Sequence, residues 1–234
     1  MVKKLIKDSV LYIQYWYLRE FWRTFRQRDP LWKVIKYYGS YLRYNLDNAK
    51  SPLSSGLPWI TFEAIDFLED IVKPGMTVFE FGSGGSTRFF AERLAEVHSV
   101  EHHEYWYQKV ANELRHHTPI DLRWIPGTDP AGNPDQWCLD ESNDGFDYSR
   151  YAGSISKFED TYFDLILVDG KARNACITAS LPKLKAQGWL IVDNSNRKAY
   201  SKTLENLENW LVLRSFGPSL GSKKFTQTSF FKNA

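Results

Sequence analysis

Cysteine is scarce in this chain of 234 residues, where only Cys138 and Cys176 occur. Two cysteines fit no zinc-ligand spacing and no disulfide framework, so we expect a protein of a reducing, cytoplasmic compartment. Uninterrupted apolar runs of about eighteen residues are also missing, which predicts that no segment spans a membrane. The basic start MVKKLIK lacks the apolar core and cleavage site of a signal peptide, so we do not expect one.

A strong overall charge is missing as well. The formal net charge is +2, which neither indicates nor excludes a nucleic-acid partner. No serine-nucleophile motif occurs, which argues against a hydrolase of that class. What is present, 43% hydrophobic and 25% charged residues, is ordinary for a globular protein with one sizeable domain.

The charge is unevenly distributed along the chain. Residues 1–50 contain eleven Lys or Arg against four Asp or Glu, so this arm carries +7 and the remainder −5. The arm is also rich in aromatic residues. The stretch VLYIQYWYLREFWRTFRQ predicts an amphipathic helix, because apolar residues recur at steps of three or four: Leu11, Tyr15, Leu18, Trp22 and Phe25. A second helix is predicted in LWKVIKYYGSYLRYNL.

Three interpretations of the arm remain open at the level of sequence. It can be a helical cap that packs its aromatic residues on the main domain, which is the interpretation we favour. It can form a homodimer surface. It can also contact a membrane surface or a nucleic acid, because basic and aromatic residues are interleaved. A linker rich in Pro, Ser and Gly, residues 51–59, separates the arm from the rest.

Residues 60–234 alternate between strand-like and helix-like patterns. Such alternation predicts an α/β domain with a mostly parallel sheet, helices on both faces and an antiparallel strand at the edge. Seven strands fit the chain. The last two stretches, WLVLRSFGP and FTQTSFFK, predict a hairpin that makes the final strand antiparallel. Ligands of such sheets bind at the carboxyl ends of the strands.

A glycine-rich loop follows the first core strand in TVFEFGSGGSTRFF, residues 77–90. Gly82, Gly84 and Gly85 allow a ligand to approach the main chain closely. Glu101 ends the next strand about twenty residues later, where an acid can accept hydrogen bonds from both ribose hydroxyls. The loop lacks the third glycine of a dinucleotide fingerprint. Glu80, two residues before Gly82, would repel a pyrophosphate but suits a positively charged ligand.

Over about residues 58–232 the sequence resembles the class I S-adenosylmethionine-dependent methyltransferases. VFEFGSGGST is similar to their first motif and VHSVEH to their second, while YFDLILVDG and GWLIVDN resemble their fourth and fifth strands. The resemblance implies S-adenosylmethionine as the cofactor. It implies that Glu80 and the loop Gly82, Ser83, Gly84 and Gly85 hold the methionine part and Glu101 the ribose, with His102, Trp106 and Asp129 near the adenine.

Three polar side chains end the fourth and fifth predicted strands: Asp169, Asp193 and Asn194. This arrangement resembles the cation-dependent O-methyltransferases of the catechol and caffeoyl-CoA type and implies a Mg²⁺ ion that binds the acceptor hydroxyl. Lys171 would be the base, although those families place their lysine one residue further on. Alternatively, Asp193 and Asn194 cap the following helix and Asp169 bonds loop amides. The NPPY-type or DPPY-type signature of nitrogen methylation is absent, which favours an oxygen acceptor.

The function predicted from the sequence is therefore methyl transfer from S-adenosylmethionine to an acceptor, a small molecule or a macromolecule, that the sequence does not identify. A non-catalytic nucleoside-binding or scaffold protein with this fold is one alternative, and a nucleotide-dependent oxidoreductase is another. A long polar insert, residues 127–160, either closes over the substrate through Tyr148, Arg150 and Tyr151 or is an ordinary exposed crossover.

Overall fold

A computed structural model describes residues 9–27, 31–46, 51–117, 120–130, 138–140 and 144–233. Its centre is a seven-stranded sheet with the order β3-β2-β1-β4-β5-β7-β6. The strands are β1 (Thr77–Phe81), β2 (Glu96–Glu101), β3 (Ile120–Trp124), β4 (Phe163–Val168), β5 (Leu184–Asp193), β6 (Leu211–Gly217) and β7 (Thr226–Lys232). The first five pair in parallel, and β7 is antiparallel to both of its neighbours. The α/β fold and the terminal hairpin are thus confirmed, but the edge position expected for the antiparallel last strand was wrong, because β7 lies inside the sheet between β5 and β6 and β6 forms the edge.

Helices flank the sheet. They are α1 (Val10–Gln27), α2 (Leu31–Lys36), α3 (Tyr38–Leu46), α4 (Pro52–Ser55), α5 (Phe62–Ile71), α6 (Gly85–Glu92), α7 (Glu104–Leu114), α8 (Ser149–Ala152), α9 (Arg173–Ser180) and α10 (Ser201–Glu205). The Thr61 side chain accepts a hydrogen bond from the Ala64 N–H and caps α5, as the sequence predicted. Short 3₁₀ turns cover 153–157, 181–183 and 198–200. None of the helices in these described ranges has the length and apolar character needed to cross a membrane.

Two predicted helices differ from those in the structure. The helix expected to run to the AQG sequence ends at Ser180, and residues 184–187 already belong to β5. The reason is Pro182, which lies in the turn after α9 and cannot continue a helical hydrogen-bond ladder. The second helix of the arm is divided at Tyr37 into α2 and α3.

The hydrophobic core lies on both faces of the sheet. In β1, Val78 packs in a cluster with α1, α3 and α5, whereas Phe79 and Phe81 pack on the opposite face with α8 and α9. Side chains alternate along a strand, so Glu80 shares the face of Val78 and is buried beneath α6. Parallel strands covered on both faces hold their carboxyl ends firmly in register, which positions the loops after β1, β2, β4 and β5.

The arm packs on the main domain through the more polar side of α1. The buried residues of this helix are Ile13, Tyr17, Glu20 and Thr24. The Tyr17 ring lies 5.3 Å from that of Phe225 and 4.7 Å from that of Tyr41. The stripe on which we expected packing is exposed instead: Leu11 78%, Tyr15 60%, Leu18 58%, Trp22 58% and Phe25 54%. The arm is therefore a cap, but its most apolar face is turned to solvent.

Candidate functional site

The glycine loop lies between the ends of β1 and β4. Gly82 has φ +98°, and a Cβ atom there would lie 3.1 Å from the Gly170 nitrogen. A Cβ atom on Gly85 would lie only 2.0 Å from the carbonyl oxygen of Leu57. The segment predicted as a linker, 51–59, therefore packs directly on the loop, and glycine is required because no side chain fits between them.

Glu80 supports the loop from below. Its side chain is fully buried, and its Oε1 accepts a hydrogen bond from the Thr87 hydroxyl, which itself accepts one from the Gly84 N–H, 2.9 Å. Burial raises the pKa of the Glu80 carboxyl to about 7, and hydrogen bonds from neighbouring hydroxyls oppose the rise only in part. Oε2 has no hydrogen-bond partner among the residues that the structure describes.

Glu101 organises the opposite side of the loop. Its Oε2 accepts from the Ser83 N–H and hydroxyl at 3.0 and 3.2 Å, and its Oε1 accepts from the His102 and His103 N–H groups at 2.9 and 2.8 Å. Burial raises the pKa of the Glu101 carboxyl, but these hydrogen bonds and the His102 side chain outweigh it, so the net pKa is lowered. Glu101 is therefore a buried carboxylate that stays ionised at neutral pH.

A cavity of about 420 Å³, here called the glycine-loop cavity, opens between these two sides. Most of the cofactor residues predicted from the sequence line it: Gly82, Ser83, Gly84, Gly85, Glu101, His102 and Trp106. The Trp106 indole N–H donates to the Ser83 carbonyl oxygen at 2.7 Å, and its ring lies over Gly84. Trp59, His103 and Tyr105 also line the cavity and were missed, although the clustering of aromatic residues in EYWYQ was a signal.

Two predicted cofactor residues lie elsewhere. Asp129 is exposed and does not line the glycine-loop cavity. Its neighbour Thr128 pairs instead with Asp147 in an isolated bridge, which directs this segment along the insert. Glu80 is near the loop but behind it, so its influence on a ligand passes through the loop backbone.

Arg173 lies at the carboxyl ends of β4 and β5 and was not assigned a role by the sequence. Its Nη2 is 2.9 Å from Oδ1 of Asp169, and its Nη1 donates to the carbonyl oxygen of Asp193 and lies 3.9 Å from Oδ2. Its Nε donates to the Gly170 carbonyl oxygen at 3.0 Å. Burial raises the pKa of the Asp169 carboxyl above its usual value, while Arg173 opposes this.

The expected magnesium ligands do not fit a divalent cation. Asp193 Oδ1 accepts from the Thr228 hydroxyl at 2.8 Å, and Oδ2 accepts from the Asn194 amide. The Asn194 amide oxygen accepts from Arg197. These oxygens are therefore directed to protein donors, and the guanidinium group of Arg173 supplies the positive charge that we had expected from Mg²⁺. No cluster of three metal-ligating side chains occurs elsewhere in the described ranges.

A second cavity of about 600 Å³, the Arg173 cavity, adjoins the first. Besides Arg173 its walls include Asp193, Asn194, Lys223, Ser219 and Thr226. Trp59 and Asp169 line both cavities, so the two share a boundary at these two side chains. Asp169 therefore borders both cavities and is within reach of a ligand in either one.

Lys171 does not reach this boundary. Its Nζ forms ion pairs with Asp140 and Asp144 at 2.8 and 2.9 Å, and it lines neither cavity. Burial lowers the pKa of the Lys171 ammonium group, but its hydrogen bonds to the two carboxylates outweigh this, so the net pKa is raised. The predicted role of Lys171 as a base is therefore not supported by its position or its pKa.

The insert is part of the core in its described residues. Tyr151 is fully buried and packs against Gly170. A Cβ atom on Gly170 would lie 2.0 Å from the hydroxyl oxygen of Tyr151. Tyr148 is also buried and donates to Asp144 at 2.9 Å, whereas Arg150 is exposed near Arg123 and Lys157. Neither alternative considered for the insert describes the two tyrosines, because both are buried and support the loops from beneath. Residues 131–137 and 141–143 lie outside the described residues.

Solved structures with a similar architecture were found by comparison. A methyltransferase-like protein from Silicibacter pomeroyi is similar, with a TM-score of 0.51, 23% identity and coverage of 72% of this chain and 84% of that one. A precorrin-6y C5,15-methyltransferase from Geobacter metallireducens has a TM-score of 0.50, 11% identity and coverage of 73% and 87%. The chain therefore has the same fold as these two methyltransferase structures. No family model and no curated protein matches its sequence.

Within a methyltransferase fold of this class, the two cavities lie where ligands are expected, at the carboxyl ends of the central strands. The fold alone does not define the chemistry, which depends on the side chains at the site. The glycine-loop cavity offers bare backbone, an ionised carboxylate and an aromatic wall. These features fit a cationic nucleoside ligand.

Proposed function

We propose that this protein is an S-adenosylmethionine-dependent methyltransferase that binds the methyl donor in the glycine-loop cavity and the acceptor in the Arg173 cavity. The observation that carries the proposal is the shared wall of the two cavities at Trp59 and Asp169. A methyl-transfer enzyme needs two adjacent sites with direct contact between their occupants, because holding both reactants in line supplies much of the rate enhancement.

The donor side is built for a nucleoside with a positive charge. Glu101 presents an ionised carboxylate to ribose hydroxyls, and Trp106 with Tyr105 presents aromatic surface to a base. Because Ser83 already donates twice to Glu101, its hydroxyl would have to rotate to make room for ribose. S-adenosylmethionine bound here would supply an electrophilic methyl group on a sulfonium centre.

The acceptor side favours a hydroxyl group, and we propose oxygen as the atom that is methylated. Asp169 lies at the boundary with a raised pKa, so its carboxylate can accept the hydroxyl proton as the acceptor attacks. Arg173 holds this carboxylate in place and keeps its charge balanced. In this arrangement Asp169 is the base in place of Lys171, and Arg173 supplies the positive charge in place of a bound cation.

The proposal is tested by calorimetric titration of the full chain with S-adenosylmethionine and with its demethylated product. We expect binding that Glu101→Gln weakens by about ten-fold or more, because an amide accepts fewer hydrogen bonds than a carboxylate. Tyr105→Ala should weaken binding too, and this exposed side chain is removed without disturbing the core. Asp129→Asn is the matched control and should bind like the parent protein.

Three results would contradict this function. One is the absence of binding by either nucleoside at millimolar concentration in a protein that melts cooperatively. Another is tighter binding of a nicotinamide dinucleotide, which would favour the oxidoreductase alternative. The third is binding of S-adenosylmethionine without label transfer from its methyl group to any acceptor in a cell extract, which would favour a non-catalytic protein.

A further inference from the structure

The exposed side of α1 carries a continuous apolar stripe, defined as Leu11, Tyr15, Leu18, Trp22 and Phe25. Each of these side chains is more than half exposed, and together they span the described length of the helix. The neighbouring helix α2 adds Trp32 at 60% and Ile35 at 67% exposed. Contiguous apolar surface of this kind is unusual on a monomeric protein and marks an interaction site.

The stripe is a stable feature of the fold, because the opposite side of α1 is anchored. Arg23 lies over the Phe216 ring at 5.5 Å, and Tyr41 of α3 donates to the Lys223 carbonyl oxygen at 3.1 Å. Two ion pairs, Lys33–Glu63 at 2.7 Å and Lys36–Asp66 at 2.8 Å, fix α2 on α5. The helix therefore cannot rotate its stripe onto the domain without losing these contacts.

Positive charge borders the stripe. Arg19 and Arg26 are both exposed. Each lies one position after one residue of the stripe and four positions after another, so both arginines lie along the same edge of the stripe. Over the sequence of residues 1–50 the net charge is +7. The surface thus combines aliphatic, aromatic and cationic side chains on one amphipathic helix.

We propose that this face of α1 binds the surface of an anionic lipid bilayer, with the stripe inserted at the level of the headgroups. Aromatic residues and leucine prefer this interface, and the arginines would contact lipid phosphates. A second copy of the chain fits less well, because two arms of +7 would repel each other. A nucleic acid fits less well because leucine side chains offer it neither stacking nor hydrogen bonds.

The proposed membrane face has a structural connection to the Arg173 cavity. The segment between β6 and β7 packs on the anchored side of the arm through Lys223 and Phe225, and Lys223 also lines that cavity. Only the helix α1 would therefore separate a bound membrane from the wall of the Arg173 cavity. The inference does not depend on what the cavity binds, and its test needs no turnover.

Co-flotation of the full chain with vesicles tests the proposal. Vesicles of phosphatidylcholine containing about one-third phosphatidylserine should capture the protein, whereas phosphatidylcholine alone should capture about ten-fold less, and high salt should release it. The double variant Leu18→Ser with Trp22→Ser should reduce capture by about ten-fold or more. Leu211→Ser, which removes an equally exposed leucine from the edge strand β6, is the matched control and should leave capture unchanged.

The contribution of charge is measured separately. Arg19→Gln and Arg26→Gln should each lower capture by anionic vesicles about five-fold, with both side chains exposed and outside the core. Capture that is unchanged in the Leu18→Ser, Trp22→Ser protein would overturn the proposal. The proposal would also be overturned if vesicles did not capture the protein and it instead formed a dimer in sedimentation velocity or shifted RNA in a mobility assay. The double variant would then have to abolish that dimer or that shift.

Discussion

The guanidinium group of Arg173 lies between two carboxylates, 2.9 Å from Oδ1 of Asp169 and 3.9 Å from Oδ2 of Asp193. Its remaining donors are directed to the carbonyl oxygens of Asp169, Gly170 and Asp193. One side chain therefore ties together the loops after β4 and β5 and supplies the positive charge at the boundary of the two cavities.

Removing this cation should destabilise the fold. Arg173→Ala removes the cation beside the buried carboxylate of Asp193 and the donor of the Asp169 carboxylate and of three carbonyl groups, so we expect a loss of roughly 3 kcal/mol or more in the free energy of unfolding. Urea denaturation measures it. Lys36→Ala is the control, since its ion pair with Asp66 is exposed and should contribute less than about 1 kcal/mol. Equal losses in the two variants would contradict the structural role of Arg173.

Magnesium should leave the protein unaffected. Because the oxygens of Asp193 and Asn194 already accept hydrogen bonds from protein donors, we expect no rise in melting temperature when millimolar Mg²⁺ is added after treatment with a chelator. A rise of several degrees that disappears in Asp193→Asn would show instead that these residues bind the ion.

Stability should decrease with rising pH because of Glu80. Its carboxyl has a pKa near 4.5 in the unfolded chain and about 7 in the fold, so the fold favours the protonated form. The resulting stability is complete below about pH 4.5 and is lost as pH rises through about 7. Glu80→Gln should therefore match the parent protein at about pH 4 and exceed it at pH 8 by about 3 kcal/mol at most. Parallel pH profiles of the two unfolding free energies would refute this role.

The contact between the predicted linker and the glycine loop can be tested by replacing a loop glycine with alanine, which adds one methyl group. In Gly85→Ala the new Cβ atom would lie 2.0 Å from the Leu57 carbonyl oxygen, so the segment 51–59 must move and we expect a loss of roughly 2 kcal/mol. Gly39→Ala is the comparison, since its Cβ atom would meet nothing within 4 Å inside α3 and should stabilise by up to about 1 kcal/mol. The packing described would be contradicted if the melting temperatures of both variants were higher, or both lower, than that of the parent protein.

Some features could be predicted because they are local. The glycine loop, the acid at the end of β2, the Thr61 cap and the terminal hairpin each depend on a few consecutive residues and on the alternation of apolar side chains. The parallel order of the core strands follows from that alternation and from the preference for right-handed crossovers. These elements also place Gly82, Ser83, Glu101, His102 and Trp106 around one cavity, as the sequence predicted.

Other features depend on contacts between distant parts of the chain. The periodicity of α1 identified its most apolar side correctly, but the side that packs was decided by Phe225 and Tyr41, with which Tyr17 makes ring contacts. Likewise, no local pattern shows that Arg173 reaches across to Asp193, twenty positions further along the chain. Sequence by itself determined the fold and the glycine-loop side of the site. Only the tertiary structure decided where the cation lies and which face of the arm remains open, because both result from long-range packing.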